Sequence, residues 1–378
     1  IESDSANNDD TQRPASSIRA PATWAAPMSI LDGASVLITG GTGSFGHRFV
    51  KTVLTKHKPS RLVVFSRDEL KQFEMREAFP IEAYPNLRFF LGDVRDRDRL
   101  YRALDGVDIV VHAAALKQVP AAEYNPLESI KTNILGSANL IDAAIDRKVK
   151  RVLALSTDKA ANPVNLYGAT KLCADKLFVA ANQYAAHSGT RFSVVRYGNV
   201  IGSRGSVIPY FLAQKPSGRL TITDERMTRF LITLDDGVAF VIRGLEHMLG
   251  GEIYVPKIPS VRVADLARVI GPECRRDVIG IRPGEKLHEI MIPEDDARVT
   301  LEFGDHFVIQ PTHSFWNHKD YEAEGKGRIC ADGFRYSSDL NTHWLDDAEI
   351  KQLVAAVLAK GVGESMPKAD EPRFIVGG

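Results

Sequence analysis

Thr157, Asp158 and Lys159 stand side by side, and Tyr167 and Lys171 follow them in the stretch LSTDKAANPVNLYGATK. The five supply a hydroxyl, a carboxylate, two amines and a phenol, which together can move protons on and off a bound molecule. Tyr167 and Lys171 are four positions apart, so they share one face of a helix. An ammonium beside a phenol favours the phenolate, which makes Tyr167 a candidate base. Both features also have plain readings: a Tyr one turn before a Lys often marks a solvated face, and an adjacent Asp–Lys is often an exposed ion pair worth little.

The elements that must position these groups are readable on either side. Residues 151–156 (RVLALS) form an apolar, β-branched run expected to be a buried strand of a parallel sheet. Thr157, Asp158 and Lys159 then fall just past its carboxyl end, where open α/β sheets bind ligands. Asn162–Pro163 blocks a direct passage into helix, so a loop intervenes before a helix that starts at Leu166.

Upstream, residues 34–39 read as a first strand running into Gly40, Gly43 and Gly46 of TGGTGSFG, with a helix over 44–57. Strand, glycine turn and helix in this order let a pyrophosphate approach free amides at the helix N-terminus. Thr42, Ser44 and Phe45 share that turn. The second strand, 61–65, ends in Ser66, Arg67 and Asp68, with Lys71 a turn on. A guanidinium with further donors suits a 2′-phosphate, so NADP is expected, while Asp68 keeps NAD as the alternative. A third strand, 87–91, leads to Asp93 and Val94, where Asp93 either meets an adenine amino group or caps the next helix. After a fourth strand, 107–111, the small residues Ala113 and Ala114 leave room for a dinucleotide, and His112 reads as a packed histidine.

A long helix is expected over 126–147 and a sixth strand over 192–196. Beyond Gly202 the strand–helix alternation breaks down, then resumes with helices at 235–249 and 263–270, a strand at 252–255 and a last helix at 346–358. The expected fold class is α/β: a Rossmann-type doubly wound parallel sheet with a smaller mixed C-terminal substrate domain. Residues 28–200 and 235–275 are assigned to the dinucleotide domain, 201–234 and 276–345 to the substrate domain, and 346–360 to a terminal helix. Residues 1–27 and 361–378 are expected to be tails, the first disordered for want of an apolar core, with Met28 a candidate natural start.

The chain has 378 residues, with 48 Lys and Arg against 48 Asp and Glu, so no overall field recruits nucleic acid or an anionic membrane. Small molecules are the expected partners. Three cysteines, Cys173, Cys274 and Cys330, follow no ligand spacing and suit free thiols in the cytoplasm. No stretch reaches the roughly 18 apolar residues of a membrane span. Residues 303–335, with His306, His313, His318 and Cys330, are read as surface loop and not as a metal site.

TGxxGxxG at the first strand, YxxxK after the fifth, and a Thr ten residues before the Tyr resemble the extended short-chain dehydrogenase/reductase superfamily. SRDELKQFEM, AAALKQVP, STDKAANPVNLYGATK and RPGEKLHE are similar to segments of the soluble inverting UDP-N-acetylglucosamine 4,6-dehydratases, which open the pathway to pseudaminic acid and related sugars. Membrane-bound relatives carry a methionine where this chain has Tyr167, which favours the soluble branch.

The resemblance implies that Gly40, Gly43, Gly46, Ser66, Arg67 and Asp93 hold a tightly bound, recycled NADP, and that Lys171 binds the nicotinamide ribose and supports ionised Tyr167. It implies that Thr157 positions the sugar 4-hydroxyl and that Asp158 and Lys159 are the acid/base pair; in that chemistry Lys159 takes the C5 proton if desolvation lowers its pKa, and Asp158 protonates the departing C6 hydroxyl if burial raises its own. Lys117, Asn199, Arg229, Arg282 and Glu285 are implied at the UDP-sugar site, and a homo-oligomer is implied for the assembly. A 4-epimerase would use the same Thr157, Tyr167 and Lys171 without needing Asp158 and Lys159, and a non-catalytic cofactor-binding protein would need none of them.

Overall fold

Runs of Val, Ile, Leu and Phe bounded by glycine and polar turns build one large sheet, because strands buried on both faces need no polar alternation. The computed structural model describes residues 29–202, 206–312 and 327–359. Six strands recur where the chain reads βαβ: β1 (Ser35–Thr39), β2 (Arg61–Ser66), β3 (Leu87–Leu91), β4 (Ile109–His112), β5 (Arg151–Thr157) and β6 (Arg191–Tyr197). With β7 (Ile253–Pro256) they lie parallel in the order β3-β2-β1-β4-β5-β6-β7. The order reverses between β1 and β4, and a crevice opens there at the carboxyl ends.

Helix α1 (Ser44–Lys56) covers the sheet with Gly46, Phe49, Val50 and Val53, spaced to fall on one stripe. Burying Phe49 completely contributes about 1.5–3 kcal/mol. Helix α2 (Glu69–Ala78) starts on Asp68, which accepts from Lys71 N, and α3 (Arg97–Ala103) starts on Asp96, which accepts from Arg99 N. The cap of that helix is therefore Asp96 and not Asp93.

The single helix expected over 126–147 is broken. After α4 (Val119–Tyr124) come α5 (Pro126–Ile130), a π-helical turn over Lys131–Leu135, and α6 (Gly136–Asp146). The wide turn buries two successive residues, Thr132, which lines the crevice, and Asn133. Asn133 accepts from Leu116 N and donates to Leu116 O and Thr170 Oγ1, pinning the loop after β4.

Three further strands extend the sheet antiparallel past β7: β8 (Thr300–Glu302), β9 (His306–Ile309) and β10 (Arg328–Ile329), in the order β7-β9-β8-β10. This corrects the surface-loop reading of 303–335. His306 and Cys330 are buried, and His306 stacks on Phe303 and bonds Asp305 at 2.8 Å. His313 and His318 lie outside the described residues, as do 1–27 and 361–378.

A second, smaller core gathers Ile208 and Phe211 of α8 (Val207–Gln214), Leu220, Leu266 and Ile270 of α10 (Val263–Ile270), and Ile350 of α11 (Asp347–Ala359). Its boundary differs from the expected one. Helix α9 (Leu234–His247) packs with the large sheet through Val238 and Val241, while α10 joins the small core; residues 290–292 and 300–309, expected in the small domain, join the large one. The apolar stripe of α10 is complementary to α8 and α11, and sequence order alone does not reveal that.

Candidate active site

The crevice between β1 and β4 continues along β5 as one cleft of about 600 Å³. Its floor at one end is the glycine turn. Gly40 has φ +65°, and a Cβ there would lie 2.8 Å from Ala114 Cα; a Cβ on Gly46 would lie 2.2 Å from Gly41 O. Both positions therefore require glycine. No side chain caps α1 at Gly43, so its first amides open towards the cleft.

Thr42, Ser44 and Phe45 line the same wall, and Ala113 and Ala114 face them from β4. The hydroxyls of Thr132 and Ser206 are buried in the lining with no hydrogen-bond partner among the described residues. A glycine cradle, open helix amides and orphaned hydroxyls suit a dinucleotide.

Ser66, Arg67 and Lys71 close the far end with Asp93 and Val94. Arg67 lies 3.6 Å from Asp93, and Lys71 bonds Asp68 at 2.5 Å, so the ammonium expected for a 2′-phosphate is already engaged. Burial would push the Asp93 carboxyl up, but Arg95 and Arg67 outweigh it and hold the group below its ordinary range. Asp93 therefore stays an acceptor, fit for an amino group.

At the other end β5 runs into a single 3-10 turn, Asp158–Ala160, and α7 (Leu166–Tyr184) begins on Asn165, whose side chain accepts from Gly168 N. These elements bring Thr157, Lys159, Tyr167 and Lys171 to the cleft wall. Asp158 stays behind it, 0% exposed, accepting from Thr157 Oγ1 at 2.9 Å and Lys159 Nζ at 3.0 Å. Its Oδ2 is buried with no hydrogen-bond partner among the described residues.

The electrostatics differ from those expected. Burial pulls Lys159 down, but Asp158 and then Glu289 overcome it and hold the ammonium above its ordinary value. The lowered pKa expected of a resting base is absent. Burial pushes Tyr167 up to about 12, and the main opposing influence is the Lys159 cation. Helical spacing pointed to Lys171 for that role, yet burial holds Lys171 below its ordinary value, with Asp175 opposing. His112 is packed as expected: buried, bonded to Thr39 Oγ1 at 2.8 Å, and lowered to about 3 by burial and the Lys171 field.

Of the residues expected at the sugar nucleotide, Lys117 and Asn199 line the cleft. Asn199 Oδ1 accepts from Lys159 Nζ at 3.4 Å. Arg229 does not face the cleft: it is buried and spends its guanidinium on the carbonyls of Thr228, Leu287 and Lys286. Arg282 and Glu285 pair with each other at 3.9 Å in a turn that crosses the loop between β5 and α7. That turn is tied down by Lys286 Nζ to Ala161 O, 2.5 Å, and Asn165 Nδ2 to Gly284 O, 2.7 Å. The reading missed Tyr197, Ser206 and Leu234 in the lining, and Glu289 behind it. Glu289 closes the RPGEKLHE stretch; its signal was present, but Glu285 of the same motif drew the assignment.

The model of the polysaccharide biosynthesis protein family matches residues 36–311. A UDP-N-acetylglucosamine 4,6-dehydratase (inverting) of Campylobacter jejuni is 54% identical over 326 residues, covering 85% of this chain and 97% of that protein. A UDP-glucose 4-epimerase of Rickettsia canadensis is 42% identical over 330 residues, covering 85% and 95%. Among solved structures, Pen from Bacillus thuringiensis superposes with a TM-score of 0.79 at 36% identity, covering 87% and 99%. DesIV, a dTDP-glucose 4,6-dehydratase from Streptomyces venezuelae solved with NAD bound, gives 0.59 at 25% identity, covering 67% and 86%.

Proposed function

The chain belongs to the polysaccharide biosynthesis protein family of extended short-chain dehydrogenases/reductases. From that premise we propose that it is a C5-inverting UDP-N-acetylglucosamine 4,6-dehydratase, a hydro-lyase giving UDP-2-acetamido-2,6-dideoxy-β-L-arabino-hex-4-ulose. The observation that carries the reading is Lys159 at the cleft wall beside Thr157 and Tyr167, hydrogen-bonded to a buried Asp158. A 4-epimerase needs the hydroxyl chemistry at C4 but no proton relay for C5 and C6, so this pair favours the dehydratase name among the relatives.

A nicotinamide dinucleotide held by the Gly40–Gly46 turn supplies, when bound, a reversible hydride acceptor for oxidation at C4 and reduction at C6. Arg67, with Ser66 beside it, supports NADP over NAD, although Asp68 already engages Lys71. Tyr167 Oη takes the C4 hydroxyl proton while Thr157 orients that hydroxyl. The C4 ketone acidifies C5.

Lys159 and Asp158 then work in series, because of the two only Lys159 lines the cleft. Asp158 Oδ1 first accepts a proton from the resting ammonium. The free amine takes the C5 proton, passes a proton to the C6 oxygen, which leaves as water, and recovers its own from Asp158. Inversion requires a later proton on the opposite face of C5, and the proton that Tyr167 took from O4 balances it.

Free Cys173, Cys274 and Cys330 support a cytoplasmic setting, and no described helix is long and apolar enough to cross a membrane. Exposed Tyr124 and Leu127 on adjoining helices α4 and α5 support a homo-oligomer. The likeness to inverting dehydratases supports a place at the opening of the route to pseudaminic acid and related sugars. Incubating the protein with UDP-N-acetylglucosamine tests the reading: loss of one water by mass spectrometry supports it. An isomer of unchanged mass supports the epimerase instead, and no product with dinucleotide bound supports a non-catalytic protein.

A further inference from the structure

Glu289 is 3% exposed and reaches the site from outside the motif of Thr157 to Lys171. Its Oε1 lies 3.5 Å from Lys159 Nζ and 3.7 Å from Arg229 Nε, and its Oε2 is buried with no hydrogen-bond partner among the described residues. Its backbone is fixed on both sides by Ser338, whose Oγ accepts from Glu289 N at 2.9 Å and whose N donates to Glu289 O at 2.8 Å. Ser338 Oγ in turn meets Thr228 Oγ1 at 2.6 Å. The carboxylate is thus held in place before any ligand arrives.

One ammonium therefore stands between two buried carboxylates, and of the three residues only Lys159 lines the cleft. Its side chain is 26% exposed there. The charged and titratable groups around it are Asp158 on its own turn, Glu289 ahead of strand 290–292, Arg229 on strand 228–232, and Tyr167 on α7. Lys286, in the crossing turn, feels the same cluster. Asp158 alone satisfies a lysine hydrogen bond. A second carboxylate, balanced by Arg229 and left with an open oxygen, raises the cost of removing the proton from Nζ and limits where Nζ can point.

We propose that Glu289 is a positioning residue for the dehydration step: its carboxylate anchors Lys159 Nζ at the cleft wall and sets how readily that nitrogen gives up its proton to Asp158. This rests on the dehydratase reading for its chemistry, but the coupling of Glu289 to Lys159 is a property of the protein alone. Replacing the carboxylate by an amide removes a negative charge within about 4 Å, which moves a lysine titration down by about 1–3 units.

The test is the side-chain ¹⁵N signal of Lys159, assigned with Lys159→Arg, in the whole protein near about pH 10, close to where an unperturbed lysine titrates. The wild type shows ammonium; Glu289→Gln moves the signal towards the neutral amine, and Glu289→Asp, which keeps the charge one methylene further back, moves it less. The kcat limb that reports Lys159 shifts to lower pH in the same order, while dinucleotide affinity is unchanged. If Glu289→Gln does not fold, Glu289→Asp carries the same comparison. An identical signal in the wild type and the folded variants overturns the proposal. The same samples given UDP-N-acetylglucosamine separate the two readings: no product from wild type, with the signal shifted in the variant, overturns the dehydratase assignment and leaves the Glu289 coupling standing.

Discussion

Lys159 Nζ donates a 3.0 Å hydrogen bond to Oδ1 of its sequence neighbour Asp158, and only the lysine faces the cleft. Removing the ammonium should therefore stop proton traffic at C5 without disturbing the dinucleotide end. Lys159→Ala is expected to keep dinucleotide binding and lose solvent-deuterium exchange at C5. It should also lower unfolding stability by about 3 kcal/mol, since Asp158 would be left buried without its cation and Glu289 with Arg229 alone. Exchange at the wild-type rate would remove Lys159 as the group that acts on C5.

Gly43 and Gly46 of the turn differ in what they tolerate. A Cβ on Gly46 meets Gly41 O at 2.2 Å, whereas one on Gly43 meets its nearest atom, Gly40 O, at 3.3 Å. Gly46→Ala is expected to cost about 1–3 kcal/mol of stability and most dinucleotide affinity, with Gly43→Ala milder on both counts. Thermal unfolding and cofactor titration of the pair check this; equal effects would contradict the packing described.

Arg67 is the cation at the ribose end not already bonded to Asp68. Arg67→Ala should weaken NADP by about tenfold or more, the worth of one charge-assisted contact, and leave NAD nearly unchanged. Equal losses for the two dinucleotides would mean that Arg67 does not read the 2′-phosphate.

His112 gives the fold an acid sensitivity of known sign. Burial lowers it from 6.5 to about 3, so below pH 6.5 the unfolded chain takes up a proton that the native chain refuses. Its contribution is complete above 6.5 and is lost as pH falls from there towards 3, at up to about 1.4 kcal/mol per pH unit. Urea unfolding at pH 7 and pH 5 should show a smaller drop for His112→Gln than for wild type; parallel drops would contradict it.

Much of this was legible beforehand because burial on both faces writes strands as apolar runs: β1 to β6 fall within two residues of the expected ends. What escaped depends on partners distant in sequence. The π-helical turn at Lys131–Leu135 keeps an ordinary helical composition, and the π register goes with an Asn133 held by Leu116 and Thr170. The strand His306–Ile309 is apolar, yet it lies within the stretch 303–335 that was read as surface loop. At the site, residue types and spacing singled out Thr157, Lys159, Tyr167 and Lys171, which share the cleft wall, but part of what raises Lys159, after its neighbour Asp158, comes from Glu289, which lies far along the chain. Arg229 was placed at the sugar nucleotide by the resemblance, and the sequence does not show that three carbonyls already hold it.

The central claim is dehydration with inversion through Lys159, and one NMR time course addresses it most directly: purified protein with UDP-N-acetylglucosamine in deuterated water, without added cofactor. The expected outcome is a 4-keto-6-deoxy product of arabino configuration carrying deuterium at C5. A product that keeps the C5 configuration, or a 4-epimer without loss of water, would contradict it.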